Sequence, residues 1–146
     1  MNIFLYLSCY FLLLLSILGY GSIFKKIFFQ SKKFDIGYIG IFGTFLLIII
    51  AYVFNFFIPL SSIFSLLVFI LGVGFFINFL LESFTGYKKE LLGLLVLSIF
   101  LIVFILTSKN HDDFPYYHFP YTHLLTEYSG VIGLGNFTHG FKTQSS

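Results

Sequence analysis

The stretch that decides the fold runs from Ile36 to Ile58 and reads IGYIGIFGTFLLIIIAYVFNFFI. It contains no charged side chain, and it exceeds the roughly 20 apolar residues that a helix needs to cross a hydrocarbon core of about 30 Å. Lipid offers no partner to an unpaired backbone N–H or C=O group, whereas a helix pairs these groups within itself. The stretch therefore predicts a membrane-spanning α-helix.

Three further stretches have the same apolar character. They lie at about 3–23, 63–81 and 91–107. Pro59 with the pair Ser61-Ser62 leaves room for only a tight turn between the second and third stretches. The prediction is an all-α membrane protein in which residues 1–107 form four transmembrane helices within the lipid bilayer.

The composition excludes other classes. With 58% hydrophobic and 10% charged residues, the chain lacks the polar surface of a water-soluble domain. A net charge of +2, with lysines scattered among apolar runs, does not indicate a nucleic-acid partner. The single cysteine, Cys9, rules out a disulfide within the chain.

The lysines predict an orientation, because short loops rich in Lys are retained on the cytoplasmic side. Six lysines follow the first and third stretches: Lys25, Lys26, Lys32, Lys33, Lys88 and Lys89. The tail has only two, Lys109 and Lys142. Both termini should then be extracytoplasmic. The expected location is a cell (inner) membrane, with the protein crossing it several times.

Polar residues within the predicted spans are few. No span has a central Asp, Glu, Lys, Arg or His, so an ion pathway is not expected. Asn55 and Asn78 lie near helix ends, where interhelical or interfacial hydrogen bonds are their expected role. Glycines should let neighbouring backbones approach closely at five positions: Gly37, Gly40, Gly43, Gly72 and Gly74.

The chemistry of the chain is concentrated after the fourth stretch, where residues 109–121 read KNHDDFPYYHFPY. Two adjacent carboxylates, Asp112 and Asp113, repel one another and are held most easily by a shared cation or proton. Their oxygens suit Mg²⁺ or Mn²⁺, and His111 and His118 can add imidazole ligands. One carboxylate can instead act as a general base. A solvated turn is the third interpretation.

A short helix is predicted beyond these acids, since Pro120 can begin one. One face at helical spacing is apolar: Leu124, Leu125, Tyr128, Val131 and Ile132. The segment is expected to lie along the membrane interface, with His123 and Glu127 turned to water.

The Asp-Asp pair that leaves a membrane helix, followed by Phe-Pro-Tyr-Tyr-His and an interfacial helix, resembles the first outer loop of the GT-C membrane glycosyltransferases. It is most similar to a poorly characterised group of large bacterial multi-span proteins. The resemblance implies transfer of a sugar from a polyprenyl-phosphate carrier on the extracytoplasmic side. It implies that Asp112 or Asp113 is the catalytic acid that positions the acceptor or binds a divalent cation, and that Tyr117 and His118 line the cavity.

The chain departs from that family in length, because four helices cannot enclose a cavity for a lipid-linked donor. It also ends at Gln144-Ser145-Ser146, within the polar segment 108–146. We therefore expect an amino-terminal, truncated portion of such an enzyme, inactive alone. Two alternatives stay open. One is a small complete membrane protein that packs its helices against a partner protein, and the other is an outer-face metal-binding element.

Overall fold

The computed structural model describes residues 3–30, 32–107 and 114–130, and they are almost entirely helical. The elements are α1 (Ile3–Phe28), α2 (Ile36–Asn55), α3 (Ser62–Thr107), a π-helical turn (Phe114–His118) and α4 (Phe119–Glu127). Helices α1, α2 and α3 are long and apolar enough to cross a membrane. The all-α prediction is confirmed for the described residues, and so are three helices of membrane-spanning length.

The first two helices differ from the predicted bounds at their ends. Helix α1 continues past Ile23 to Phe28 and includes Lys25 and Lys26. It can do so because a lysine reaches water with its ammonium while its aliphatic stem stays along the helix. Helix α2 ends at Asn55 instead of Ile58, since the residue before Pro59 is disfavoured in helical conformation.

Helix α3 corrects the prediction of a loop at 82–90, because every residue from Ser62 to Thr107 is helical. This segment contains no proline, and glutamate and lysine, which favour helix, surround Gly86. At 1.5 Å per residue, a straight helix of this length would measure about 69 Å, more than twice the thickness of a hydrocarbon core. Contacts with α1 exclude such a straight helix.

Two contacts show that α3 turns back along α1. Near one end of α1, Lys26 contacts Glu82, and towards the other end the Tyr10 hydroxyl donates to the Ser98 carbonyl at 3.2 Å. In a straight helix Ser98 would lie about 24 Å beyond Glu82, on the side away from Tyr10. Gly86 lies between the two arms, and sharp bends commonly occur at glycine. We call residues 62–82 the first arm and residues 87–107 the second arm.

Helix α1 meets the first arm of α3 through small residues. A Cβ atom added to Gly19 would collide with the Gly72 carbonyl, and one added to Gly72 would collide with the Ser16 hydroxyl. The two backbones are therefore in direct contact, as is typical of helices that associate in lipid. The Tyr20 hydroxyl donates to the Val68 carbonyl at 2.7 Å beside this crossing.

Helix α2 crosses α1 in the same manner on another side. A Cβ added to Gly21 would collide with the Ile39 carbonyl, and one added to Gly43 with the Ile17 carbonyl. Of the five glycines expected at close approaches, Gly43 and Gly72 lie at one. The prediction was wrong for Gly37 and Gly74, which have open space around them, and Gly40 has ordinary contact with the Leu18 side chain.

Large hydrophobic side chains cover most of the outer surface of the helices. Leu81 is 82% exposed and Phe57 is 79% exposed, while the interior holds serines and glycines at the crossings. Large contiguous apolar surfaces of this kind mark contact with a membrane or another protein. The arrangement agrees with helices surrounded by lipid.

Candidate functional site

The tail returns to the bundle and contacts the turn between α2 and α3. The Leu60 backbone N–H donates to the Leu125 carbonyl at 2.8 Å, and the Gly130 N–H donates to the Asn55 carbonyl at 2.6 Å. Helix α4 is thus held by main-chain bonds at one end of the bundle, which we call the tail end. The opposite end, with Lys25 and Lys26, we call the lysine end.

The side chain of Asn55 strengthens this docking. Its amide lies 3.4 Å from the carbonyls of both Leu125 and Tyr128. The amide therefore joins α2 to a segment some seventy positions further along the chain, in agreement with its expected hydrogen-bonding role. The Asn78 amide instead contacts Glu82 at 3.0 Å within its own helix. A cavity of about 180 Å³ lies beside Asn55 and extends to Tyr121.

The predicted acidic site is only partly within the described residues. His111, Asp112 and Asp113 lie outside them. Tyr117 belongs to the π-helical turn, and His118 ends that turn with an exposed side chain. The His118 carbonyl accepts a hydrogen bond of 2.9 Å from the Thr122 hydroxyl.

The predicted interfacial helix exists, and α4 begins at Phe119 with Pro120 in its first turn. His123 and Glu127 are exposed as predicted, whereas Leu124 and Leu125 are partly buried. Tyr128 does not extend that face, because it is in extended conformation and the helix ends before it. The last two predicted members of the face, Val131 and Ile132, lie outside the described residues.

Metal ligands are sparse in the part of the chain that the structure describes. No group of three or more His, Cys, Asp or Glu side chains there could hold an ion. Of the predicted ligand set, only His118 falls within those residues, and its side chain is exposed. The prediction of a Mg²⁺ or Mn²⁺ site therefore stays a prediction about Asp112 and Asp113.

The lysine end contains a cavity with a polar lining, which the sequence analysis did not predict. A cavity of about 360 Å³ opens between α1 and the first arm of α3. Its polar lining comes from α1, from the turn just after it and from α3: Ser22, Lys25, Lys26, Gln30, Asn78, Glu82 and Ser83. The Lys26 ammonium pairs with Glu82 at 3.0 Å, and the Lys25 ammonium donates to the Tyr87 hydroxyl at 3.1 Å.

Comparison with known proteins adds a family. A family model described as a domain of unknown function (DUF8201) matches residues 1–146. The chain belongs to this family. No curated protein and no solved structure matches the chain. The function of the DUF8201 family is unknown, so the glycosyltransferase resemblance stays a prediction.

Two features of this DUF8201 chain could be found only in three dimensions. Glu90 accepts a hydrogen bond of 2.7 Å from the Ile36 backbone N–H and so caps α2. Asp35 occupies the usual capping position, but its side chain makes no capping bond. The docking of α4 was likewise absent from the prediction, although Asn55 at the end of an apolar helix was a signal.

Proposed function

We propose that the chain is a membrane module that crosses the bilayer four times and presents residues 108–146 on the extracytoplasmic side. The two arms of α3 supply the third and fourth crossings. The contact between Tyr10 and Ser98 supports this proposal, because it brings the second arm back along α1. The second arm has 21 residues, or about 31 Å of helix, which matches a hydrocarbon core.

The orientation is supported by charge. Six lysines lie at or near the lysine end, and short lysine-rich segments are retained in the cytoplasm. Helix α4 contacts the turn at the other end of α2. The tail is then extracytoplasmic, and the membrane is a bacterial inner membrane.

The function that follows is that of the amino-terminal part of a GT-C-like glycosyltransferase of cell-surface glycan synthesis. The docking of α4 carries this proposal, because it ties the chain directly after the acidic segment to the tail end of the bundle. Asp112 or Asp113 would act on the acceptor, and Tyr117 and His118 would line the same cavity. A divalent cation held by Asp112 and Asp113, with His111 and His118, would supply charge neutralisation at the phosphate of the donor.

This proposal assigns the donor, a polyprenyl-phosphate-linked sugar, to a cavity that needs additional helices. Helices α2 and α3 both pack against α1 and make few contacts with each other. Four crossings arranged in this way do not surround a lipid-linked donor. The chain alone is therefore expected to be inactive.

Cysteine accessibility tests the topology. In a Cys9→Ser background, His123→Cys and Lys33→Cys place single thiols at the tail end and the lysine end. A maleimide that cannot cross membranes should label His123→Cys in intact cells and Lys33→Cys only after permeabilisation. Labelling of both from the same side would mean an even number of crossings between Lys33 and His123. The proposal places α2 and both arms of α3 there, so that result would end it.

Sugar transfer tests the enzymatic part. The coding sequence following Ser146 is read first, and an in-frame continuation with several more spans supports the proposal. Membranes containing the longer protein are then assayed for transfer from a polyprenyl-phosphate-linked radioactive sugar. Asp112→Asn or Asp113→Asn should abolish transfer, and Asp35→Asn, at the lysine end, is the control. Activity unchanged in both tail variants would remove the catalytic assignment.

A second candidate is a module that acts by packing against a partner membrane protein. A groove of about 320 Å³ between α2 and the first arm favours it, since Ile50 and Phe69 lie along an opening that a partner helix could fill. Purification of a stable complex from membranes would support this candidate. A monodisperse monomer without a partner would count against it.

Outer-face metal binding is tested separately by calorimetric titration of the solubilised chain with Mn²⁺ and with Zn²⁺. Binding heat that disappears in the double variant Asp112→Asn, Asp113→Asn would support a cation at that pair. The absence of heat at micromolar concentrations would end the idea.

A further inference from the structure

The cavity at the lysine end is lined by charged side chains. Lys25 and Lys26 reach it from the last turns of α1, and Glu82 reaches it from the first arm. The cavity lies where the helices leave their apolar segments, and Ile23 and Phe79 form part of its wall. Its position suits a ligand with a charged head and an apolar body.

The two lysines have different partners. The Lys26 ammonium lies 3.0 and 3.2 Å from the two carboxylate oxygens of Glu82. One of those oxygens also accepts from the Asn78 amide at 3.0 Å. Glu82 thus accepts three hydrogen bonds from these two neighbours, and its charge balances that of Lys26.

Lys25 has neutral partners instead. Its ammonium donates to the Tyr87 hydroxyl at 3.1 Å and lies 5.5 Å from the centre of the Tyr87 ring. No carboxylate of the described residues lies within ion-pair distance of it. An ammonium has three donors, so this partly buried cation keeps donors and charge for a ligand in the cavity.

We propose that this cavity binds the phosphate group of an anionic membrane lipid, with Lys25 as its principal charged contact. The surroundings favour a lipid over a soluble anion. Six lysines stand at or near this end against three carboxylates, Asp35, Glu82 and Glu90. Such a surplus attracts anionic lipids of the cytoplasmic leaflet, at about 1 kcal/mol for each lysine near the surface. This inference rests on the proposed orientation, with the lysine end at the cytoplasmic leaflet, and not on the proposed glycosyltransferase function.

Native mass spectrometry tests the proposal with the full chain released from nanodiscs that contain equal amounts of phosphatidylglycerol and phosphatidylcholine. The wild-type chain should retain phosphatidylglycerol preferentially. Lys25→Gln should lower that preference by clearly more than about fivefold, since a loss of about fivefold, or about 1 kcal/mol, is expected for the removal of any lysine near the surface. Lys25→Arg, which keeps the charge, should restore it and shows that any loss is not caused by misfolding.

Lys33→Gln is the matched control, because Lys33 is exposed and outside the cavity while the change in net charge is identical. Equal losses in Lys25→Gln and Lys33→Gln would overturn the proposal, since general surface attraction would then explain the binding. Displacement of phosphatidylglycerol by millimolar inorganic phosphate would also overturn it, because the ligand would then be a soluble anion. Retention of phosphatidylglycerol in the presence of phosphate supports it.

Discussion

At the lysine end side chains join the helices, whereas at the tail end the backbone does most of the joining. Lys26 bonds to Glu82, and Glu90 bonds to the first turn of α2. At the tail end, the Leu60 and Gly130 N–H groups donate to carbonyls across the interface. At the tail end His118 and His123 are exposed, and the His123 ring stacks on the Phe119 ring. The lysine end is thus joined by side-chain bonds, and the tail end is joined mainly by backbone bonds with exposed histidines beside them.

The largest expected effect comes from a change at the crossing of α1 with the first arm of α3, which lies between the two ends. Gly19→Leu should destabilise the bundle by about 3 kcal/mol, because its side chain would collide with the Gly72 backbone. Thermal unfolding in detergent measures the loss. Gly74→Leu is the control, since open space surrounds Gly74. Equal destabilisation by the two variants would show that the crossing is not where the structure places it.

Glu90→Ala should have the next largest effect, at the lysine end alone. Removal of a charged acceptor from the Ile36 N–H should cost about 1.5 kcal/mol. Hydrogen exchange should accelerate in the first turn of α2 and stay unchanged in α4. Asp35→Ala serves for comparison, because that side chain makes no capping bond. A larger effect of Asp35→Ala would reverse the assignment of the cap.

Asn55→Leu should loosen the tail end while leaving the lysine end intact. The lost amide bonds to Leu125 and Tyr128 are long, and we expect a cost of about 1 kcal/mol. Hydrogen exchange in α4 should then rise about fivefold. Asn78→Leu, which loses a bond within its own helix, should leave α4 protected. Unchanged exchange in Asn55→Leu would mean that the backbone bonds alone hold the tail.

Lys26→Gln should have the smallest effect of the four. The Lys26 side chain is 62% exposed and that of Glu82 is 50% exposed, so water and salt screen their attraction. Thermal unfolding should barely change, and the small difference should vanish in high salt. A large, salt-independent loss would show that the lysine end depends on this ion pair.

Much of the architecture was predictable from residue type. The stretch from Ile36 to Ile58 indicated a long apolar helix of membrane-spanning length, and α2 occupies most of it. His123 and Glu127 were expected to face water and are exposed. These predictions succeeded because hydropathy and helical spacing are local properties. The loop predicted at 82–90 failed for the same reason, since the local cluster of charge there does not reveal that the chain turns without leaving helical conformation.

The candidate sites were less predictable. Asp112 and Asp113 were noticed as an adjacent pair, which the sequence displays directly. The cavity at the lysine end was not, because Lys25 and Glu82 are far apart in the chain and line the same cavity only after α1 packs beside α3. Similarly, nothing local distinguishes Gly72, which lies at a crossing, from Gly74, which does not.

By itself the sequence determined that this chain has long apolar helices, a lysine-rich end and an acidic, aromatic tail, because transfer free energy and charge belong to each residue. Only the tertiary structure decided that α3 turns back along α1, that Glu90 caps α2, and that α4 docks on the turn between α2 and α3. These contacts join residues distant in the chain. They form only when the helices pack together, so no local property of the sequence reveals them.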